Sequence, residues 1–222
     1  MERRKFIKSI GIVSVSLSNI PVICSAQQLP PLSPQNGGRS ILPSLLKTGD
    51  ILLSTTNQLS SRIIRNQTDL PISHASIVYN TNDANNPEIA EAVSSGVRII
   101  SYKDVMKDDT LCVAIRKTNL SNQDIKTLQE WLLTKIGSDY DFGGVFEEWL
   151  ALKAQWMNNL RSIALGNPKK FYCSELVNEA YKGIGINLLK YNGPYPNRNS
   201  APGRFVELTW FNELDYIGHL KY

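Results

Sequence analysis

One stretch limits what this chain can fold into more than any other: Phe171-Tyr172-Cys173-Ser174-Glu175-Leu176-Val177, an apolar pair running into a cysteine with an amphipathic segment directly behind it. Leu176, Val177, Ala180, Tyr181 and Ile184 recur on one face of a helix, and Gly183 and Gly185 are placed to end it. Cys173 therefore falls in the first helical turn, where unpaired backbone N–H groups and the helix dipole favour negative charge. The thiolate is the reactive form of cysteine, and this position lowers its pKa. The same N–H groups could hold the oxyanion of an acyl-transfer intermediate. A cysteine at a helix start can equally be a small buried hydrophobe, and the motif alone does not separate the two readings.

A histidine adds weight to the chemical one. The chain has two, His74 and His219, and His74 opens the run Ser73-His74-Ala75-Ser76-Ile77-Val78-Tyr79. Ala75, Ile77 and Tyr79 share one side of a strand there, with His74, Ser76 and Val78 on the other. The loop-forming run Asn80 to Pro87 follows, and Ile89 to Val93 returns as the second strand of a hairpin. If Tyr79 pairs near Glu88 or Ile89, Glu91 falls opposite Ser76 and diagonal to His74, roughly 7–8 Å away between Cα atoms. A histidine, a thiol and an orienting carboxylate together perform acyl transfer.

Four motifs in order carry a family resemblance: Gly49-Asp50-Ile51-Leu52-Leu53, Ser73 to Tyr79, Glu91-Ala92-Val93 with Gly96-Val97, and Tyr172 to Val177. Between about Leu46 and Gly185 the chain resembles the circularly permuted papain-like enzymes of the YaeF/YiiX type, a branch of the NlpC-like cysteine peptidase and amidase superfamily. The histidine-before-cysteine order sets that branch apart. The resemblance implies an α+β, permuted papain-like (NlpC-like) fold, with an antiparallel sheet or partial barrel packed against helices and the catalytic cysteine at a helix N-terminus. It also implies a catalytic set of Cys173, His74 and Glu91. Glu88, Asp83 and Asn80 are substitutes for the carboxylate, and Glu175 is a first-turn residue complementing the helix dipole. His219 follows Cys173 in the unpermuted order, but only Leu220, Lys221 and Tyr222 remain after it. The expected activity is hydrolysis of an amide, as in a cell-wall peptide, through an acyl-enzyme. The alternatives are a lipid esterase or acyltransferase of the same fold and an inactive binding module. The substrate is then a small peptide, an amino-acid amide or a lipid.

Residues 1–26 read as an export signal of twin-arginine type. Arg3-Arg4-Lys5-Phe6-Ile7-Lys8 precedes a modest apolar run to Ile23, and Cys24-Ser25-Ala26 offers small residues for cleavage. The protein is thus expected in the periplasm or cell envelope. Acylation of Cys24, giving a lipid anchor, is a weaker alternative because Ile23 precedes it. The leader holds Arg3, Arg4, Lys5 and Lys8 against Glu2, most of the chain's net charge of +4. What remains is about +1, so nucleic acid is not an implied partner. Two isolated histidines and no Cys-x-x-Cys suggest no metal ligand set, and no cofactor is expected.

Residues 27–44, with four prolines and Gly37-Gly38, read as a flexible linker, and 45–222 as the hydrolase domain. Its expected strands are Ile51 to Ser54, Val97 to Ser101, Leu111 to Arg116 and Phe205 to Phe211. Gln58 to Asn66 reads as a short helix. Asp50 fixes the turn before the first strand. Ser121-Asn122-Gln123-Asp124 caps a helix from Ile125 to Ile136. Cys112 sits in a buried strand; a Cys112–Cys173 disulfide would silence the thiol. Val145 to Leu165, with Trp149 and Trp156, looks like an insertion between Tyr140-Asp141-Phe142 and the cysteine. It reads as a packing helix, a groove cap or a peripheral membrane contact.

Overall fold

The computed structural model describes residues 38–58, 61–62, 64–65, 71–140, 170–171, 173–189, 202–210 and 213–221. The expected leader, residues 27–37, Asp141-Phe142, the insertion 145–165 and Tyr172 lie outside this set; of the expected helix at 58–66, residues 61–62 and 64–65 are described and helical, and 59, 60, 63 and 66 lie outside it.

Strands β1 (Ile51–Thr56), β2 (His74–Asn80), β3 (Glu88–Val93) and β4 (Gly96–Ser101) are followed by a one-turn helix α1 (Tyr102–Val105) and β5 (Asp109–Arg116). Helix α2 (Asn122–Leu133), the short strands β6 (Asp139–Tyr140) and β7 (Lys170–Phe171), α3 (Cys173–Lys182), α4 (Arg204–Trp210) and β8 (Asp215–Lys221) complete the order. Six strands form one sheet in the order β4-β3-β2-β1-β5-β8, each antiparallel to its neighbours. The pair β6–β7 is parallel. The α+β class holds, with an open sheet rather than a barrel.

Strand alternation divides the apolar residues between two faces. On one face Ile51, Leu53, Ala75, Ile77, Ala90, Val113 and Ile115 pack with Leu128 and Leu132 of α2, Leu176, Val177, Ala180 and Tyr181 of α3, and Phe205 of α4. On the other, Leu52, Val78, Ile89, Cys112 and Ala114 form a smaller core with Leu46, flanked by Tyr102 and Val105 of α1. Burying each Leu- or Ile-sized side chain stabilises the fold by about 1.5–3 kcal/mol, so the α2–α3 face dominates. Tyr181 adds a polar tie, since its buried hydroxyl donates to the Gly49 carbonyl at 2.6 Å. That bond fixes α3 against the entry to β1.

Local signals account for the element ends. Ser121 and Asp124 form a reciprocal capping box at the start of α2. This helix stops at Leu133, one turn short of the expected Ile136. Gly185, at φ +80°, supplies the left-handed backbone just after α3. Asp50 accepts from the Lys47 N–H at 2.8 Å, as a turn-fixing side chain should, and also pairs with Arg116 of β5 at 2.6 Å.

Two expectations are corrected. Phe205 to Phe211 is not a strand: Arg204–Trp210 is helical, and Phe205, Val206 and Leu208 are all buried, a spacing that a helix can turn into one core. Residues 38–44, assigned to a flexible linker, are bound along β8. Ile41 N–H donates to the His219 carbonyl at 2.8 Å, and Arg39 Nε donates to the Ile217 carbonyl at 2.6 Å. Gly218 permits this approach. A Cβ there would lie 2.5 Å from Ile41 Cγ2 and 2.8 Å from the Arg39 carbonyl, at φ +152°.

Candidate active site

The β2–β3 hairpin sets the first two groups. Its loop closes on its own side chains, with Asn80 Oδ1 accepting from Asn82 N–H and Asp83 Oδ1 from Asn85 N–H. The ladder then pairs Val78 with Ile89 and Ile77 with Ala90. Continued by one residue, this register puts Glu91 opposite Ser76 and diagonal to His74. The side chains meet: His74 Nε2 donates to Glu91 Oε2 at 2.9 Å.

Glu91 is nearly fully buried, and its other oxygen is held as well. Arg98 of β4, directly opposite in the register, donates to Oε1 through Nε at 2.9 Å and Nη2 at 2.7 Å. Burial alone would raise the Glu91 pKa, but His74 and Arg98 together bring it below the ordinary carboxylate value. The carboxylate is therefore charged, with one oxygen committed to the imidazole.

Helix α3 brings the third group. Cys173 is its first residue and is 3% exposed. With Nε2 committed to Glu91, the imidazole's Nδ1 is left for the sulfur, which hydrogen-bonds to His74. Backbone N–H groups of Ala75 and Ser174 also serve the sulfur. Burial raises the thiol pKa, and the His74 bond, its positive charge and those two N–H groups overcome this and lower it. For His74 burial acts downward, yet Cys173 and Glu91 lift the imidazole well above 6.5. Both shifts favour a thiolate–imidazolium pair, the state a cysteine hydrolase needs before substrate arrives.

The other candidates lie elsewhere. Asn80 and Glu88 bond to each other at the far end of the hairpin, with Asp83 in its loop. Glu175 is in the first turn of α3. His219 is on β8, separated from β2 by β1 and β5, and its Nδ1 shares a 2.7 Å hydrogen bond with the Tyr216 hydroxyl. Cys112 is a free, fully buried thiol in the core opposite α3, and Cys173 is also free. Among the described residues no group of three or more His, Cys, Asp or Glu is arranged to hold a metal, and no helix is long and apolar enough to cross a membrane.

Sequence reasoning missed Arg98. Its signal was the tight connection from Val93 to Gly96, which pairs those two residues and so forces Arg98 opposite Glu91.

Residues 45–150 match the family described as permuted papain-like amidase enzymes, YaeF/YiiX, C92 family. This span includes His74 and Glu91 and ends before Cys173. The probable lipoprotein peptidase YaeF of Escherichia coli (strain K12) is 26% identical over 200 residues, spanning 79% of this chain and 71% of that protein. Among solved structures, the metalloprotein yiiX of Escherichia coli O157:H7 is 22% identical, with a TM-score of 0.48 over 73% of this chain and 80% of that one.

Proposed function

We propose that this chain, a relative of the permuted papain-like amidases of the YaeF/YiiX type and a cysteine peptidase- or amidase-like hydrolase, cleaves an amide bond with Cys173 as nucleophile, His74 as base and acid, and Glu91 as the carboxylate that positions the imidazole. The observation that carries this reading is the single line of contacts from Arg98 through Glu91 and His74 to the Cys173 sulfur.

The steps follow from that line. The Cys173 thiolate attacks the substrate carbonyl carbon, and the tetrahedral oxyanion forms beside the backbone N–H groups at the start of α3. His74 gives its proton to the leaving amine, the C–N bond breaks, and a thioester remains on Cys173. A water then loses a proton to His74, attacks the thioester, and restores the thiolate–imidazolium pair with release of the acid. Glu91 stays ionised throughout and holds the ring orientation.

The twin-arginine leader, together with a relative named as a probable lipoprotein peptidase, favours a place in the cell envelope. A bond in a cell-wall peptide is the substrate that suits this location. The test incubates the full chain in parallel with muropeptides, amino-acid amides and lipid extracts, reading product release and the mass of acylated Cys173. Release from muropeptides or amides that vanishes in Cys173→Ala supports the proposal. Turnover of the lipid extract alone replaces it with the esterase reading. No acylation, with a Cys173 no more reactive than a model thiol, refutes an active enzyme.

A further inference from the structure

The register of the sheet aligns more than the three groups of the site. Ser54 on β1 pairs directly with His74 on one side and with Cys112 on the other; a register shift follows between Thr55 and Thr56, beyond which Thr56 pairs with Asp109 and keeps it on the face of Ser54. Residues opposite one another in a ladder share a face, as do alternate residues along a strand. One face therefore carries a polar row across all six strands: Arg98 on β4, Glu91 on β3, His74 on β2, Ser54 on β1, Asp109 on β5 and Lys221 on β8, which pairs with Cys112. A cation closes each end, a carboxylate stands inside each cation, and the imidazole lies between the carboxylates.

The two carboxylates are in unlike states. Glu91 has every oxygen partnered. Asp109 is 5% exposed and Ser54 1% exposed, yet neither Asp109 Oδ2 nor Ser54 Oγ has a partner at ordinary hydrogen-bond geometry among the described residues, although the Ser54 hydroxyl is near enough to the carboxylate to favour its charged form. A buried carboxylate left in this condition costs the fold free energy.

We propose that Asp109 is a second positioning carboxylate for His74, acting from the β5 side of the row through Ser54: its charge holds the imidazole in the protonated state, and its neutralisation loosens that hold. The inference rests on the Cys173–His74 reading of the site. Burial pushes the Asp109 carboxyl up to about 6, against the positive field of His74, the nearby Ser54 hydroxyl and Lys221, while Glu91 adds to the rise. The other titratable groups facing it are Cys112 on its own strand and Tyr102 of α1, both neutral at this pH because their own values are raised. Asp109 thus changes charge within the range where a hydrolase works, while Glu91 does not.

The test reads the imidazole directly. The chain has two histidines, so imidazole NMR of the full-length protein gives two signals, and His74→Ala identifies that of His74. In wild type the His74 signal is expected to show a step near pH 6 as Asp109 ionises. In Asp109→Asn that step disappears, and His74 loses its proton about one pH unit lower, the effect of one nearby charge in a partly buried site. Ser54→Ala keeps the step but moves it upward, because the hydroxyl no longer favours the carboxylate. A purely structural Asp109 would change the melting temperature and leave the His74 titration alone. Superimposable His74 curves in wild type and Asp109→Asn overturn the proposal. Should Asp109→Asn not fold, a wild-type curve without the step, or a Ser54→Ala curve with the step unmoved, overturns it equally. None of these readouts uses substrate, so a failure of the proposed hydrolysis appears separately, as absent Cys173 acylation with the Asp109–His74 coupling intact.

Discussion

Glu91→Gln is the perturbation that bears most directly on the site. The wild-type carboxylate accepts one hydrogen bond from His74 and two from Arg98. A glutamine amide keeps a single oxygen, so it can serve His74 or Arg98 but turns an N–H₂ group toward the other donor. At least one charge-assisted bond is lost, worth about 1.5–3 kcal/mol. Because the Arg98 side chain is 47% exposed, water can take over part of its loss, and the net destabilisation should be about 2 kcal/mol. This exceeds what a residue decorating a solvated strand would show, consistent with a Glu91 that is 4% exposed. Losing the same bond on the His74 side lowers the imidazole pKa, because the negative charge that favoured its protonated form is gone. The thiolate–imidazolium population at pH 6–7, and with it the rate of Cys173 alkylation, should fall, by at most about tenfold for each pKa unit lost. Iodoacetamide labelling from pH 4 to 9, with mass spectrometry at Cys173 and thermal melts in parallel, measures both numbers. Overlapping rate profiles in two equally folded proteins would remove Glu91 from the site.

Further expectations concern stability and thiol chemistry. The stabilisation from His74 is full below 6.5 and lost as pH rises through its raised native value; that from Cys173 is full above 9.0 and lost as pH falls through its lowered one. The two slopes oppose between 6.5 and 9.0, so wild type should melt at a nearly constant temperature there; a steep slope shared equally with Cys173→Ala would refute the pairing. Glu91, held low, contributes fully above 4.5 and is lost as pH falls through its native value, so Glu91→Gln should lose its stability deficit in strong acid, read as converging melts. Gly218→Ala drives a Cβ into the Arg39 carbonyl and should destabilise by about 1–3 kcal/mol, with new protease sensitivity near residues 38–44; a melt unchanged from wild type would show that the segment yields freely. Cys112→Ala should leave native alkylation at pH 7 unchanged, because burial pushes that thiol far up; a halved yield of label would contradict this.

What was legible in the sequence was local. The amphipathic face of α3, the capping box at Ser121 and the hairpin from His74 to Val93 each depend on residues a few positions apart, and the hairpin register carried Glu91 to His74. The run at 205–211 misled because buried Phe205, Val206 and Leu208 fit a short strand and a helix equally, and only the packing against the α2–α3 face decides. Asp109 and Ser54 were invisible for a different reason. Their place beside His74 comes from the pairing of β1 with β5, a long-range choice that no local pattern announces.

The origin of the site's two halves has a consequence for timing. His74, Glu91 and Arg98 come from three consecutive strands, whereas Cys173 arrives on a helix much later in the chain. At roughly 5–20 residues per second of synthesis, the nucleophile emerges several seconds after the base is complete. Until α3 docks, the sulfur has neither the imidazole nor the Ala75 N–H beside it, and it behaves as an ordinary thiol that is mostly protonated at neutral pH. A nascent chain therefore carries its most reactive atom in a dormant form. The same dependence makes thiol reactivity a gauge of one docking event: any excursion that lifts α3 from β2 quenches the nucleophile while the rest of the sheet is still intact.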